Sequence, residues 1–289
     1  MRRFAVLGSV AILGLVAAGL TQATPSRTLL TGNCARSNLD LYTAGKLTLA
    51  TDNLSFPPWW GGEGSDDFSP SDPNSGLGFE GAISYEVAKR LGFSKGDVTW
   101  TAIPFNKAFA PGRKAYDWYI SQVGYTPQRA KVVDFSNAYY YVSQAVVALK
   151  GTKIASVKTV AGLKPYTLGA PVGTTSYDYI TRYIKPDSKP KVYDTVLDNI
   201  RALKNKQIDA FVVDFPSTGY ITNVQLTTSK VVGRLPDRGV QERFGIIFDK
   251  GASLDSCVNR ALAGMSADGT LKRLKAKWLS GTGGAPVLK

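Results

Sequence analysis

Residues 78–92 read GFEGAISYEVAKRLG. Ile83, Val87 and Leu91 fall at i, i+4 and i+8, one stripe of a helix, and Gly92 stands where that helix should end. Outward toward the N-terminus, residues 46–51 (KLTLAT) alternate as a strand. They run into NLSFPPWWGG, where paired prolines and glycines enforce a loop. The Asp-, Ser-, Pro- and Gly-rich stretch 61–76 continues that loop as a surface excursion. On the other side of the helix, residues 98–103 and 118–123 predict two more strands. Strand and helix in alternation argue for an α/β layered domain.

A second series follows. Residues 139–149 are β-branched and apolar with almost no turn former, which predicts a long strand crossing between two lobes. Residues 166–171 then read as a strand, GTTS at 173–176 as a tight turn and 177–184 as a helix. Leu197, Ile200 and Leu203 space a further helix, and 208–213 and 244–248 read as strands. Leu254, Val258 and Leu262 mark one late helical stripe, and Leu271, Leu274 and Trp278 another. The expected fold is α/β and two-lobed, the second lobe inserted into the first.

The chain of 289 residues carries 35 Lys and Arg against 22 Asp and Glu, a formal net charge of +13. These cations are scattered, whereas a nucleic-acid surface wants a clustered stripe, so no nucleic-acid partner is expected. Arg2 and Arg3 precede an apolar run from Phe4 to Leu20 and a small residue, Ala23, which is the order of a secretory signal peptide. Export to the periplasm or cell surface follows, with a retained membrane anchor as the competing reading. Two cysteines in an exported chain, Cys34 and Cys257, read as one disulfide, the alternative being two unreactive thiols. Cys34 lacks the small preceding residue that lipid attachment wants. Histidine is absent, which removes the commonest general base. No cofactor and no metal site are expected.

Six strings, in order, resemble one family. They are TDNLSFPPWW (51–60), GFEGAISYEVAKRLG (78–92), GYTPQRAKVVDFSNAYY (124–140), GAPVGTTSYDYI (169–180), DAFVVDFPSTGY (209–220) and ADGTLKRLKAKWL (267–279). Together they are similar to the polar amino-acid-binding proteins of ABC importers, solute-binding family 3, with the type II periplasmic-binding fold and two hinge crossovers. The resemblance implies capture of a free polar or basic amino acid and its delivery to a membrane permease by a monomer.

A free amino acid needs a cation for its carboxylate, an anion for its ammonium and a wall for its side chain. Arg129 can grip a carboxylate with two parallel hydrogen bonds, and the resemblance gives it that role. Thr174 and Thr175, in the turn before a helix, would face the same carboxylate, and an ordinary N-cap is compatible with this. Asp214 ends an apolar strand and matches the family's carboxylate for the ammonium. Gly124 is expected to contribute its main chain, and Thr126 a contact or only the shape of the turn. Phe56 and Phe105 would form the aromatic wall, with Trp59 or Trp60 at the rim or in the core. Asp52 and Glu80 match mouth-lining positions and hint at a basic or amide side chain; alternatively Asp52 fixes its loop and Glu80 starts its helix. The long loop 61–75 and Gln122 depart from the family pattern, so specificity does not carry over.

The expected division is a signal peptide (1–23), a leader (24–45), the first lobe (46–142), the second lobe (143–238) and a return to the first (239–289). The hinges would lie near 141–144 and 237–240, with ligand bridging the lobes to favour the closed form. Two rivals are an amino-acid-like dehydratase on the same fold and a sensory binding module.

Overall fold

The computed structural model describes residues 29–239, 241–280 and 284–289. The signal-peptide reading, the first residues of the leader and Val240 lie outside the described residues. Two five-stranded sheets organise the chain. The first contains β1 (Leu47–Thr51), β2 (Val98–Ala102), β3 (Trp118–Tyr119), β4 (Val133–Phe135) and, from near the C-terminus, β12 (Ile247–Asp249), in the order β2-β1-β3-β12-β4. The second contains β6 (Gln144–Leu149), β7 (Leu168–Pro171), β8 (Lys191–Tyr193), β9 (Ala210–Asp214) and β10 (Ser229–Arg234), in the order β10-β6-β9-β7-β8. The second lobe is thus inserted between β4 and β12. Its entry and exit run side by side, as β5 (Tyr140–Tyr141) and β11 (Arg243–Phe244) pair antiparallel into a two-stranded ribbon.

Side-chain alternation gives each sheet two cores. In the second lobe, Val146 and Ala148 of β6 join Ala210 and Val212 of β9 under α2 (Thr175–Tyr179). The intervening Val147, Phe211 and Val213 join Ile200 and Leu203 of α3 (Val196–Lys204) on the opposite face. Such central strands must read as continuous apolar runs, because both faces are covered. A short helix, α4 (Thr218–Tyr220), follows β9. In the first lobe, Leu47 and Leu49 face the core beneath α1 (Phe79–Arg90), α5 (Leu254–Ala267) and α6 (Thr270–Leu279), while Ala50 faces the other side. Ile83, Val87 and Leu91 are all buried, as the stripe requires. Gly78 starts α1 at φ 86°, and a Cβ there would stand 2.4 Å from the backbone of Trp59 and Trp60, so only glycine fits. Trp59 and Trp60 are themselves fully buried core residues.

The structure corrects the reading in several places. The long strand expected over 139–149 breaks between β5 and β6, because its first residues pair with the returning crossover before Gln144 turns into the second sheet. The strand expected over 244–248 splits likewise: after β11 the Gly245 amide turns to the Val123 carbonyl (3.1 Å), and Ile247 enters the first sheet. The helix expected from residue 177 starts at Thr175 and loosens into a π turn, Ile180–Ile184. The described part of the leader is irregular but pinned at Leu30 and Cys34. Leu30 donates to the Arg90 carbonyl (2.9 Å), and Cys34 is disulfide-bonded to Cys257 of α5. Segment 239–289 does not lie wholly on the first lobe. Val287 bridges Arg234 of β10 and Leu288 is buried in the second lobe's core, because its apolar side chain finds cover only there. Among the described residues no helix is long and apolar enough to cross a membrane.

Candidate functional site

A cavity of about 230 Å³ opens between the lobes. The first lobe lines it with Asp52, Phe56, Phe105, Asn106, Gln122 and Arg129, the second with Thr174, Thr175, Ser176, Asp194 and Asp214. These residues come from strand ends and the loops after them, where an α/β sheet presents its crevice.

Arg129 opens a single 3-10 turn, Arg129–Lys131, and its amide donates to the Thr126 hydroxyl (3.1 Å). Its guanidinium lies over Phe109 (4.6 Å) and Phe105 (5.2 Å). Nη1 donates to the Gly124 carbonyl (2.5 Å) and Nη2 to the Gly173 carbonyl of the second lobe (2.8 Å). Two carbonyls and two rings therefore aim a cation that, among the described residues, is in no salt bridge. Burial pulls its pKa down from the usual arginine value, and Glu242, Asp178 and Asp214 pull it back.

Across the cavity, Thr174 is the N-cap of α2. Its hydroxyl accepts from the Tyr177 amide (3.3 Å) and donates to the Pro171 carbonyl (2.8 Å). Capping thus engages Thr174, and Thr175 beside it also lines the wall. Asp214 ends β9 opposite Gln144 of β6, whose Nε2 donates to Asp214 Oδ1 (2.6 Å). Burial, with the neighbouring Glu242, pushes the Asp214 carboxyl well above its ordinary range. Burial also raises Asp52, against the amides of Asn53 and Phe105. Phe56 stacks on Tyr220 of the second lobe with ring centroids 6.2 Å apart, and Trp59 Nε1 donates to Ser217 Oγ (2.8 Å), so the lobes meet beside the cavity.

Three expected site residues stand behind the wall instead of in it. Glu80 is completely buried, because α1 carries it beneath the cavity floor. Its carboxylate accepts from the Gln122 amide (2.7 Å), the Gln122 side chain and the Tyr139 hydroxyl. Burial still pushes its pKa up to about 7. What Glu80 holds is Gln122, whose backbone sits at φ 48°. Gly124 and Thr126 likewise sit behind Arg129, one bonded to its guanidinium and the other to its amide.

Residues 64–281 match the model of the bacterial extracellular solute-binding proteins, family 3. The chain belongs to this family. It is similar to the arginine-binding extracellular protein ArtP of Bacillus subtilis (strain 168), with 28% identity covering 75% of this chain and 84% of that protein. It is also similar to ABC transporter arginine-binding protein 1 of Escherichia coli (strain K12), with 30% identity covering 71% and 82%. The solved structure of an ancestral arginine-binding protein bound to arginine is 28% identical, with a TM-score of 0.64 over 81% of this chain and 97% of that one. The fold is accordingly the type II periplasmic-binding fold.

In this family 3 protein, sequence reasoning missed Asp194, Asn106 and Glu242. Asp194 precedes Thr195, the N-cap of α3, and reads locally as part of a helix start. Glu242 lies on a crossover and carries no motif. Only the sheet order brings either of them to the cavity or its back wall.

Proposed function

We propose that this solute-binding protein captures a free cationic L-amino acid, arginine first among them, outside the cytoplasm and delivers it to the permease of an ABC importer. One observation carries the reading: the cavity wall holds three carboxylates, Asp52, Asp194 and Asp214, against one cation, Arg129. Arg129 takes the ligand carboxylate, with Thr175 beside it, and Asp214 takes the ammonium. Asp52 and Asp194 are then left over, one from each lobe, and their charge suits a side chain bearing a positive group. Phe56 and Phe105 clamp the aliphatic stem of that side chain. The net charge of +13 belongs to the chain as a whole and does not decide this; the charge inside the cavity does.

The relatives named for arginine support the same choice. Closure works through differential binding. Arg129 belongs to one lobe, Thr175 and Asp214 to the other, so a ligand that touches all three favours the form in which the lobes meet. The protein acts as an exported monomer, and no chemical step is assigned to it. The test is calorimetry of the mature protein with L-arginine, L-lysine, L-glutamine and L-glutamate, repeated with Asp52→Asn. Arginine or lysine should bind tightest and lose about tenfold or more in the variant, the cost of truncating a buried charge pair. Preference for glutamine or glutamate would sink the cationic reading, and conversion of the ligand during incubation would make the protein an enzyme.

A further inference from the structure

Behind the cavity wall, the returning crossover supplies a carboxylate that the ligand reading leaves unused. The carbonyl of Glu242 accepts from the Val142 amide (3.0 Å), which pins its backbone where the two crossovers meet. Its side chain ends at the amide of Gln144. Gln144 Nε2 donates to Glu242 Oε2 (2.8 Å) and to Asp214 Oδ1 (2.6 Å), and Gln144 Oε1 accepts from Ser176 Oγ (2.6 Å). Both protons and the oxygen of the amide are engaged, so its orientation is determined. Gly124 closes the far side: a Cβ there would stand 2.6 Å from Glu242 Oε1 and 3.1 Å from the Thr175 methyl.

Two carboxylates on one neutral amide are only a few ångströms apart, and in a buried place both cannot ionise cheaply. Burial pushes Asp214 well above the usual carboxylate range, with Glu242 adding to it, and burial raises Glu242 against the bond from Gln144. The surrounding charges are mixed. Arg129 favours ionisation, while Asp178 of α2 opposes it at Glu242 and Glu80 of α1 opposes it at Asp214. Asp237, Arg238 and Arg243 flank the outer side of the crossover.

We propose that Glu242 is a positioning residue of the ammonium subsite: through Gln144 it aims Asp214, and the pair holds one proton that an arriving ligand ammonium displaces to water. The ligand keeps its own three protons, and both carboxylates end ionised beside the new positive charge. This rests on the reading that Asp214 takes the ammonium. Amino-acid affinity then has an acid limb that belongs to the pair, not to either residue alone.

The experiment is calorimetry with L-arginine between about pH 5 and pH 8, in two buffers of different ionisation enthalpy, on the wild type, E242Q and D214N. The wild type should release protons on binding over the range in which its affinity falls. E242Q keeps an acceptor for Gln144 but removes the like charge, so its acid limb should move down by about one pH unit and its proton release should shrink. A merely structural Glu242 would instead lower affinity by one factor at every pH with the limb unmoved, which overturns the proposal. Should E242Q not fold, the wild type decides alone: tight binding without proton release also overturns it. D214N binding arginine as well as the wild type would instead sink the underlying reading of the ammonium subsite.

Discussion

The two lobes share an architecture, a five-stranded sheet with helices on it, but they solve packing differently. The first lobe is aromatic at its core: Trp59, Trp60, Phe79, Trp118, Tyr139, Phe244 and Phe248 are all buried in one cluster. The second relies on Val, Ile, Leu and Ala, with few rings. Each is closed at an edge by a remote piece of chain. Cys34 and Cys257, 223 residues apart, staple the leader to α5 in the first lobe, whereas in the second the C-terminal Leu288 lies in the core without a covalent link. The cavity inherits the contrast. Its rings, Phe56 and Phe105, come from the first lobe, while the second contributes hydroxyls and carboxylates. Large rings hold a wall of definite shape with little rotamer freedom, whereas the short polar side chains of the second lobe are aimed by hydrogen bonds within their own lobe, Thr174 by Pro171 and Tyr177, Ser176 and Asp214 by Gln144.

Three measurements test the contrast between the lobes. The largest effect is expected from Arg129→Ala, which removes the one cation that lines the cavity among the described residues. Affinity for any α-amino acid should fall by more than about a hundredfold in calorimetry, since it strands a buried charge. Unchanged affinity would reduce the first lobe's role to the aromatic wall. Next comes the staple. Replacing Cys34 and Cys257 together by serine should cost about 2–5 kcal/mol, lowering Tm by roughly 5–15 °C. Hydrogen exchange should quicken in α1 and α5 and stay unchanged in β6 and β9; equal loosening of both lobes would show that they do not hold their cores independently. The smallest effect is Leu288→Ala, about 2 kcal/mol, the low end for truncating one buried leucine. Its signature is faster exchange at the amides of Val160 and Arg234, which donate to Lys289 and Pro286, with the first lobe unaffected.

The residues that converge on the cavity as the sequence suggests are Arg129, Thr174, Thr175, Asp214, Phe56, Phe105 and Asp52. Each is a polar or aromatic side chain at a strand end or a turn, within a string whose local pattern already fixes the element. Glu80, Gly124 and Thr126 sit in equally readable strings yet stand behind the wall. Which side of a loop faces a crevice depends on what packs beneath it, and that is long-range information. For Glu80 the deciding neighbours are Gln122 and Tyr139, far along the chain. Asp194 and Glu242 were illegible for the complementary reason: each has a sufficient local account, as a helix start or as a crossover, and the site reaches them only across the second sheet.

Local sequence carries the alternation of strands and helices, the apolar strands buried on both faces and the cation, anion and aromatic residue types that line the candidate site. Periodicity and turn chemistry act over a few residues, so they survive in a linear string. Long-range packing sets where the crossovers break into a paired ribbon, that Leu288 returns to the second lobe, and that Asp214 and Glu242 share one amide. Those outcomes depend on the register between distant strands, and in a sheet a shift of one residue turns every side chain to the opposite face.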